Sequence, residues 1–501
     1  MASSSVTRQP DVAVIGAGFG GLATALTLAE QGVKVALFER LNYPGGCAST
    51  FTRRKHRFES GATLFSGFDQ GQLFQRWIER HGMEVEFQTH DPIVQLRAPD
   101  FNIDIGQDRH ALIRQFSDMP GAPVRGLVKF FHNQKAIADI LWEVMNDERL
   151  LPPFGAKELL AHAMRTPKYT KLLPLVCKPL SKAVKSWGAG DFEPLRIYLD
   201  ALCQITVQVP SHEAEAPFAM GAMDYYFRGT GHIRGGIGNL ATAMVRAIEN
   251  LGGEVYMTDE VKAIEPCARG WKITSRRREV EVAAVAANLL PQALDEMLPD
   301  DVAAGMTRLQ KLSRRVEDGG WGAVMWYAAL EPNAPSKDWA HHLELVGDAN
   351  KPFIEGNHVF CSISGLDEPE RAPDGRRTMT MSTHLEIGKI RDLPSSEQAR
   401  VVSEIQGRMK HTLRARAPEI AEGIVMEMPA SPRTFERFTS RPHGYVGGVP
   451  RTPGLHNYDG ILPTPLARNL YMVGDSVFPG QSTLAVSLGG VKVAGIIAKN
   501  L

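Results

Sequence analysis

The sequence predicts an α/β fold: a discontinuous Rossmann-type nucleotide-binding domain, an antiparallel-sheet domain and a helical cap. Three observations predict it. Near the start, an apolar β-branched run, Asp11-Val-Ala-Val-Ile15, passes directly into Gly16-Ala-Gly-Phe-Gly-Gly21 and then into a helical stretch. Near the end, a second apolar run closes on Gly474-Asp475 and turns into another helix. Between them lie partly alternating apolar runs, beginning with Trp321 to Leu330.

Composition narrows the class. The 501 residues leave room for two to four domains. Lys+Arg and Asp+Glu are both 56, so the net charge gives no footprint for nucleic acid, and none is expected as a partner. With 43% hydrophobic and 22% charged residues, a mostly disordered chain is excluded. The five cysteines lie far apart and form no C-x-x-C pair, which excludes zinc-ribbon and thioredoxin-type motifs and fits a reducing cytosol. Met1 to Pro10 lacks the apolar stretch of a secretory signal, and no run of about 18 apolar residues appears. The expectation is a cytoplasmic protein without a membrane span.

The first element is the most specific. The run ending at Ile15 reads as a buried strand, Leu22 to Gln31 as a helix, and Val33 to Phe38 as a second strand ending at Glu39. Each glycine has a task. Gly16 allows the tight turn, Gly18 lets backbone approach a pyrophosphate, and Gly21 lets the helix pack on the strand. Phe19 and Gly20 complete the turn, and the helix N-terminus offers its amides to phosphate charge. Glu39 can accept from a ribose hydroxyl and would repel a 2′-phosphate; Arg40 follows it.

Pro44-Gly-Gly46 and Phe58-Glu-Ser-Gly61 come next. With them the sequence resembles the FAD-dependent carotenoid and retinoid oxidoreductases, within the amine-oxidase-like flavoproteins. In that family a Gly-Gly pair and an F-x-x-G element run along FAD. Two departures stand out: Cys47 where many relatives have Arg, and Glu59 where many have Asp.

The resemblance continues in the middle. Gly235-Gly-Ile-Gly238 precedes a helix, and Gly252-Gly-Glu-Val255 leads to Val261-Lys-Ala-Ile264. The family likeness places the Val261 backbone near the adenine. Val282 to Asn288 resembles a strand that relatives end with Asn. At the C-terminus, Val473-Gly-Asp-Ser-Val-Phe-Pro-Gly-Gln481 most resembles the carotenoid isomerases. The likeness implies that Asp475 binds the ribityl chain. It also implies that the helix after Ser482 directs its amides at the flavin's pyrimidine edge.

The implied organisation is discontinuous. Residues 1–95, 230–300 and 440–501 would bind FAD. Residues 96–229 and 301–439 would form the substrate domain, with a helical cap over about 106–215. Strand candidates are Trp321 to Leu330, His342 to Val346, His358 to Ile363 and Met379 to His384, in an antiparallel sheet with one covered face. In the cap, residues 151–190 interleave Lys157, Arg165, Lys168, Lys171, Lys178, Lys182 and Lys185 with leucines, Phe154, Tyr169 and Trp187. Prolines at 152, 153, 167, 174 and 179 would keep its helices short. Such a segment suits a membrane surface, where apolar groups dip in and ammonium groups meet anionic lipid. The alternative is a solvated cap.

Candidate chemistry is sparse, as an apolar substrate requires. His341 and His342 are adjacent and face opposite ways on a strand, so with His384 they read as sheet residues and no metal site is expected. Tyr225, Tyr226 and Phe227 could line a tunnel or pack a core. Glu59 is the acid–base candidate, by its implied nearness to the flavin. The expected FAD set is Gly16, Gly18, Phe19, Gly20, Gly21, Glu39, Arg40, Gly46, Gly61, Val261, Gly474, Asp475 and Ser482. The function the resemblance implies is desaturation, saturation or cis–trans isomerisation of a long apolar polyene by an FAD-dependent oxidoreductase. Two alternatives share the scaffold: an amine or porphyrinogen oxidase, and a flavin-free lipid carrier like the prenylated-GTPase dissociation inhibitors. The complete FAD set argues against the carrier.

Overall fold

A computed structural model describes residues 9–147, 150–151, 154–335, 340–458, 461 and 464–501. Residues 1–8 of the N-terminal reading and Pro152 and Pro153 of the cap lie outside them.

A five-stranded sheet holds the nucleotide turn. Its order is Leu470–Met472, Ala284–Ala287, Val12–Ile15, Val35–Phe38, Glu254–Tyr256, and every pairing is parallel. Early, middle and late stretches of chain therefore share one sheet. The three central strands are buried at every position, as helix-covered parallel strands require. Helices Phe19–Glu30, Gly238–Asn250 and Thr483–Asn500 join one core through Leu22, Leu26, Leu240, Leu488 and Ile497. The first and last cross closely: a Cβ on Gly490 would stand 2.4 Å from the Gly20 carbonyl oxygen. The other face, through Ala13, Ile15 and Phe38, shares a core with a three-stranded antiparallel sheet, Val261–Pro266, Trp271–Ser275 and Glu279–Val282.

Two boundaries differ from expectation. The first helix spans Phe19–Glu30, not Leu22 to Gln31. Gly20 and Gly21 look like turn residues by propensity, yet they lie in the helix, and close packing keeps them glycine: a Cβ would meet Asn288 Oδ1 at 2.7 Å on Gly20 and the Gly16 carbonyl oxygen at 2.0 Å on Gly21. The second strand begins at Val35 rather than Val33.

The second sheet has eight strands, in the order Ile424–Ala430, Trp321–Leu330, Arg377–Glu386, His358–Ile363, His342–Val346, Val94–Arg97, Asn102–Ile105, with Tyr445–Val446 also on Trp321–Leu330. Three expected strands occur with their expected ends. The fourth is longer, Arg377–Glu386. The sheet is not purely antiparallel, because His342–Val346 and Val94–Arg97 run parallel. That strand also crosses the expected domain boundary at residue 95. Nor is only one face covered: all ten residues of Trp321–Leu330 are buried. Leu343 and Leu345 pack with Ile405 and Met409 of helix Ser395–Arg416. The opposite face, through Val346 and Phe360, meets the cap.

The cap is helical, with Arg109–Ser117, Val124–Asn146, Ala156–Tyr169, Leu180–Ser186, Glu193–Thr206 and Ala216–Met223. Pro167 sits inside Ala156–Tyr169 instead of ending it. Among the described residues, no helix is long and apolar enough to cross a membrane.

Candidate functional site

A single cavity of about 850 Å³ runs from the glycine turn into the cap. Its nucleotide end follows from the sheet. Val12–Ile15 delivers the chain to Gly16, which turns at φ +93°, and Gly18 starts the helix in an extended conformation. No side chain caps that helix, so its first amides remain available to an anion at the cavity wall. Side chains are excluded here. A Cβ on Gly18 would stand 2.7 Å from Asn288 Nδ2, and one on Gly21 would stand 2.0 Å from the Gly16 carbonyl oxygen. Asn288 holds the turn from behind, its Nδ2 donating to the Gly16 carbonyl at 3.3 Å.

Glu39 ends the second strand. Its carboxylate accepts from the amides of Ala17 and Leu41, each at 2.8 Å. Burial raises its pKa, against the lowering effect of those amide bonds. A carboxylate accepts about four hydrogen bonds, so two acceptor positions remain for ribose hydroxyls. Arg40 donates to the Arg437 carbonyl at 2.5 Å.

The structure brings most expected residues together. Gly16, Gly18, Phe19, Gly20, Glu39, Arg40, Gly46, Gly61, Val261, Gly474, Asp475 and Ser482 all line the cavity. Gly21 stands behind the wall. Ser482 lies at φ +101°, and its hydroxyl accepts from the Ala485 amide at 3.1 Å, so it caps the last helix. The helix start, Thr483 to Val486, still faces the cavity.

Glu59 does not stand in the cavity wall. It is 2% exposed. Its carboxylate accepts from Thr50 Oγ1 at 2.8 Å and the Ile237 amide at 3.1 Å, and lies 3.5 Å from Arg371 Nη1. Those contacts join strand His56–Glu59 to the start of helix Gly238–Asn250. They give Glu59 a structural place and no contact with the cavity. Of the aromatic cluster, Tyr225 lines the cavity. The Tyr226 hydroxyl instead donates to Glu344 Oε1 at 2.9 Å, and Phe227 lies under the Arg109 guanidinium.

Sequence reasoning missed Arg441, which lines the cavity and pairs with Asp475. No local motif marks it; its place depends on the chain returning from the second sheet. The far end of the cavity is apolar, with Ile140, Leu141, Met145, Leu172, Val176 and Phe218. It runs beneath helix Ala156–Tyr169, whose outer side exposes Leu159 (57%), Leu160 (61%) and Met164 (74%), near Leu173 (70%). Of the expected cations, Arg165 and Lys168 are paired with Glu143. Lys157, Lys171, Lys178, Lys182 and Lys185 are exposed.

Known proteins share both the sequence and the architecture. Residues 14–80 match the NAD(P)-binding Rossmann-like domain family. The chloroplastic prolycopene isomerase 1 of an Oncidium hybrid cultivar is 25% identical over 517 residues, covering 99% of this chain and 84% of that protein. The neurosporene-forming phytoene desaturase of Rhodobacter capsulatus is 25% identical over 527 residues, covering 97% of this chain and 93% of that one. Putrescine oxidase solved with bound putrescine superposes with a TM-score of 0.61 at 15% identity, over 98% of this chain and 99% of that one. Over nearly its whole length, the chain is therefore a homologue of the carotenoid isomerases and phytoene desaturases, on an amine-oxidase-like fold.

Proposed function

We propose that this chain is an FAD-dependent oxidoreductase that desaturates, saturates or isomerises a long apolar polyene. One observation carries the reading: a single cavity joins a nucleotide cradle to an apolar chamber beneath the cap. A polar cofactor and an apolar chain can meet only in such a cavity.

The residues present fit FAD. The glycine turn leaves space that a Cβ would fill, and the uncapped helix start suits a pyrophosphate. Glu39 keeps acceptor positions for the ribose, and Asp475 with Arg441 would hold the ribityl and phosphate groups. Bound FAD supplies two-electron chemistry at its ring. The protein's share is position and exclusion of water. Ile140, Met145, Leu172 and Val176 would align an extended polyene by shape alone. A polyene needs few polar contacts, which matches the apolar wall. The two-sheet arrangement supports division into a discontinuous FAD domain and a substrate domain.

We further propose that residues 151–190 rest on a membrane, from which the polyene enters. Leu159, Leu160, Met164 and Leu173 form an exposed apolar patch beside lysines, directly over the apolar end of the cavity. All five cysteines are unpaired thiols, which fits a reducing compartment.

Absorption spectroscopy tests the cofactor: the purified protein should show flavin bands that bleach on anaerobic reduction. Holoprotein should then convert phytoene or prolycopene in lipid micelles, followed by chromatography. Failure to bind FAD, or inertness of oxidised and reduced holoprotein toward both polyenes, would sink the reading.

A further inference from the structure

Thr63 lies two residues beyond Gly61 and lines the cavity. Behind the wall are Ser362, on strand His358–Ile363, and His342, its direct cross-strand partner. Ser362 Oγ donates to Thr63 Oγ1 at 2.5 Å, and His342 Nδ1 bonds to Ser362 Oγ at 2.8 Å. All three residues are buried. His342 Nε2 is also buried and has no hydrogen-bond partner. A buried polar atom left unpaired is uncommon enough to require a reason.

The line can be read in two directions. A neutral imidazole has one N–H and one lone pair, and each hydroxyl rotates. With hydrogen on Nδ1, every donor points outward and Thr63 offers a hydrogen to the cavity. With hydrogen on Nε2, the hydroxyls turn inward and Thr63 presents a lone pair. The two arrangements differ in the His342 tautomer and in the rotation of both hydroxyls, and only the second leaves Nδ1 with a lone pair to take a proton.

We propose that Thr63, Ser362 and His342 carry the proton released when a polyene bound in this cavity is dehydrogenated. The proposal rests on the polyene reading above and narrows it to desaturation. The balance is simple. Bound FAD would supply the two-electron acceptor for the hydride of one substrate C–H bond. The neighbouring C–H bond breaks, and its electron pair becomes the new C=C bond. That proton goes to Thr63 Oγ1. From the arrangement with hydrogen on Nε2, the Thr63 hydrogen passes to Ser362 Oγ, and the Ser362 hydrogen passes to the Nδ1 lone pair of His342, leaving an imidazolium. Thr63 would touch the substrate, whereas Ser362 and His342 are positioning residues acting through it.

A strong base is unnecessary. Carbon next to an electron-poor polyene centre gives up its proton readily. Burial, followed by the fields of His232, His341 and His90, holds the His342 pKa well below the usual imidazole range, so it is neutral at rest; the same burial opposes the imidazolium, and the acidity of the substrate carbon has to drive the transfer. Glu368 is the carboxylate facing this group, bonded to His232 Nε2 at 3.0 Å, and it favours the imidazolium once formed.

Thr63→Val keeps the side-chain shape and removes the hydroxyl; Thr63→Ser keeps the hydroxyl. In FAD-loaded protein with phytoene, Thr63→Val and Ser362→Ala should each lower kcat about 100-fold with KM unchanged, while Thr63→Ser stays within about threefold of wild type. Flavin binding should match wild type in all three; Thr63→Val and Ser362→Ala, which each leave a buried polar atom unpaired, should melt a few degrees lower and remain folded. In flavin-free protein labelled with ¹⁵N-histidine, Ser362→Ala should shift the His342 Nδ1 resonance. Full phytoene turnover by Thr63→Val or Ser362→Ala overturns the proposal, as does an unmoved Nδ1 resonance. Loss of FAD binding in Thr63→Val, or no rescue by Thr63→Ser, also overturns it. Wild-type protein that isomerises prolycopene without dehydrogenating phytoene overturns the proton path and leaves the polyene reading intact. Wild-type protein inert toward both polyenes overturns the functional reading itself, and the resonance then decides the hydrogen-bond line alone.

Discussion

Arg441 Nη2 donates to Asp475 Oδ2 at 2.8 Å, and both side chains line the cavity where the nucleotide end meets the apolar chamber. The pair joins two distant stretches: the turn after helix Pro432–Thr439 and the end of strand Leu470–Met472. Both side chains are mostly buried. A charged pair in such a place is held by geometry and leaves a costly orphan when one partner is removed.

Asp475→Ala and Arg441→Ala should therefore both weaken FAD binding. Loss of one hydrogen bond to a charged group costs about 2 kcal/mol, or roughly thirtyfold in Kd. Fluorescence titration of the flavin-free variants measures this. Binding at wild-type strength in both variants would remove the pair from the cofactor site.

Gly21→Ala tests the close packing at the turn. Its Cβ would meet the Gly16 carbonyl oxygen at 2.0 Å, and backbone cannot yield as a flexible side chain would. Overpacking of this kind costs about 1–3 kcal/mol, so the melting temperature should fall and FAD binding should weaken. Gly32→Ala is the comparison: nothing stands within 4 Å of its Cβ, although φ is +75°. It should lower stability without touching FAD binding. Equal losses of binding in both variants would refute the packing argument.

The same residues show why some of the site was legible in sequence. Gly16, Gly18 and Glu39 sit in one local unit, where spacing alone places them around a phosphate and a ribose. Asp475 follows a strand and carries its own local motif. Arg441, Asn288 and Thr63 have no such unit. Asn288 supports the glycine turn only because its strand lies beside Val12–Ile15, and Arg441 meets Asp475 only after a whole sheet has folded between them. Glu59 depends on folding in the same way. The family resemblance implied nearness to the flavin, and in the structure its strand turns the carboxylate toward helix Gly238–Asn250. The Val94–Arg97 strand was hidden although it is as long as Val12–Ile15, because it has neither a continuous apolar run nor a glycine turn beside it to mark it.

The exposed patch on the cap predicts lipid binding. Leu159, Leu160 and Met164 together should bury enough apolar surface to hold the protein on vesicles, with the lysines adding attraction to anionic headgroups. Replacing all three with Ser should abolish co-sedimentation with anionic liposomes while leaving the melting temperature within about 2 °C, because exposed positions contribute little to folding. High salt should weaken wild-type binding without removing it, since only the lysine part is screened. Unchanged sedimentation of the triple variant would leave the patch as solvated surface.

Glu344 predicts a pH dependence of stability. It lies wholly buried, and burial pushes its pKa up to about 7, opposed only by the Tyr226 hydroxyl. The folded protein thus keeps this proton over a range where the unfolded chain has already released it. The unfolded carboxyl ionises near its ordinary value of 4.5. Stability from this group is present below that pH and falls as pH rises to about 7, by about 1.4 kcal/mol per unit and roughly 3 kcal/mol in all. Buried neutral histidines act oppositely: His90, lowered to about 4, and His358, lowered to about 3, favour the folded state as pH rises toward 6.5. The clean measurement is therefore a difference. Urea unfolding of wild type and Glu344→Gln at pH 5 and pH 7.5 should show the variant gaining about 2.4 kcal/mol relative to wild type between the two. A constant difference across that interval would mean that the folded protein, like the unfolded chain, has released this proton by pH 5.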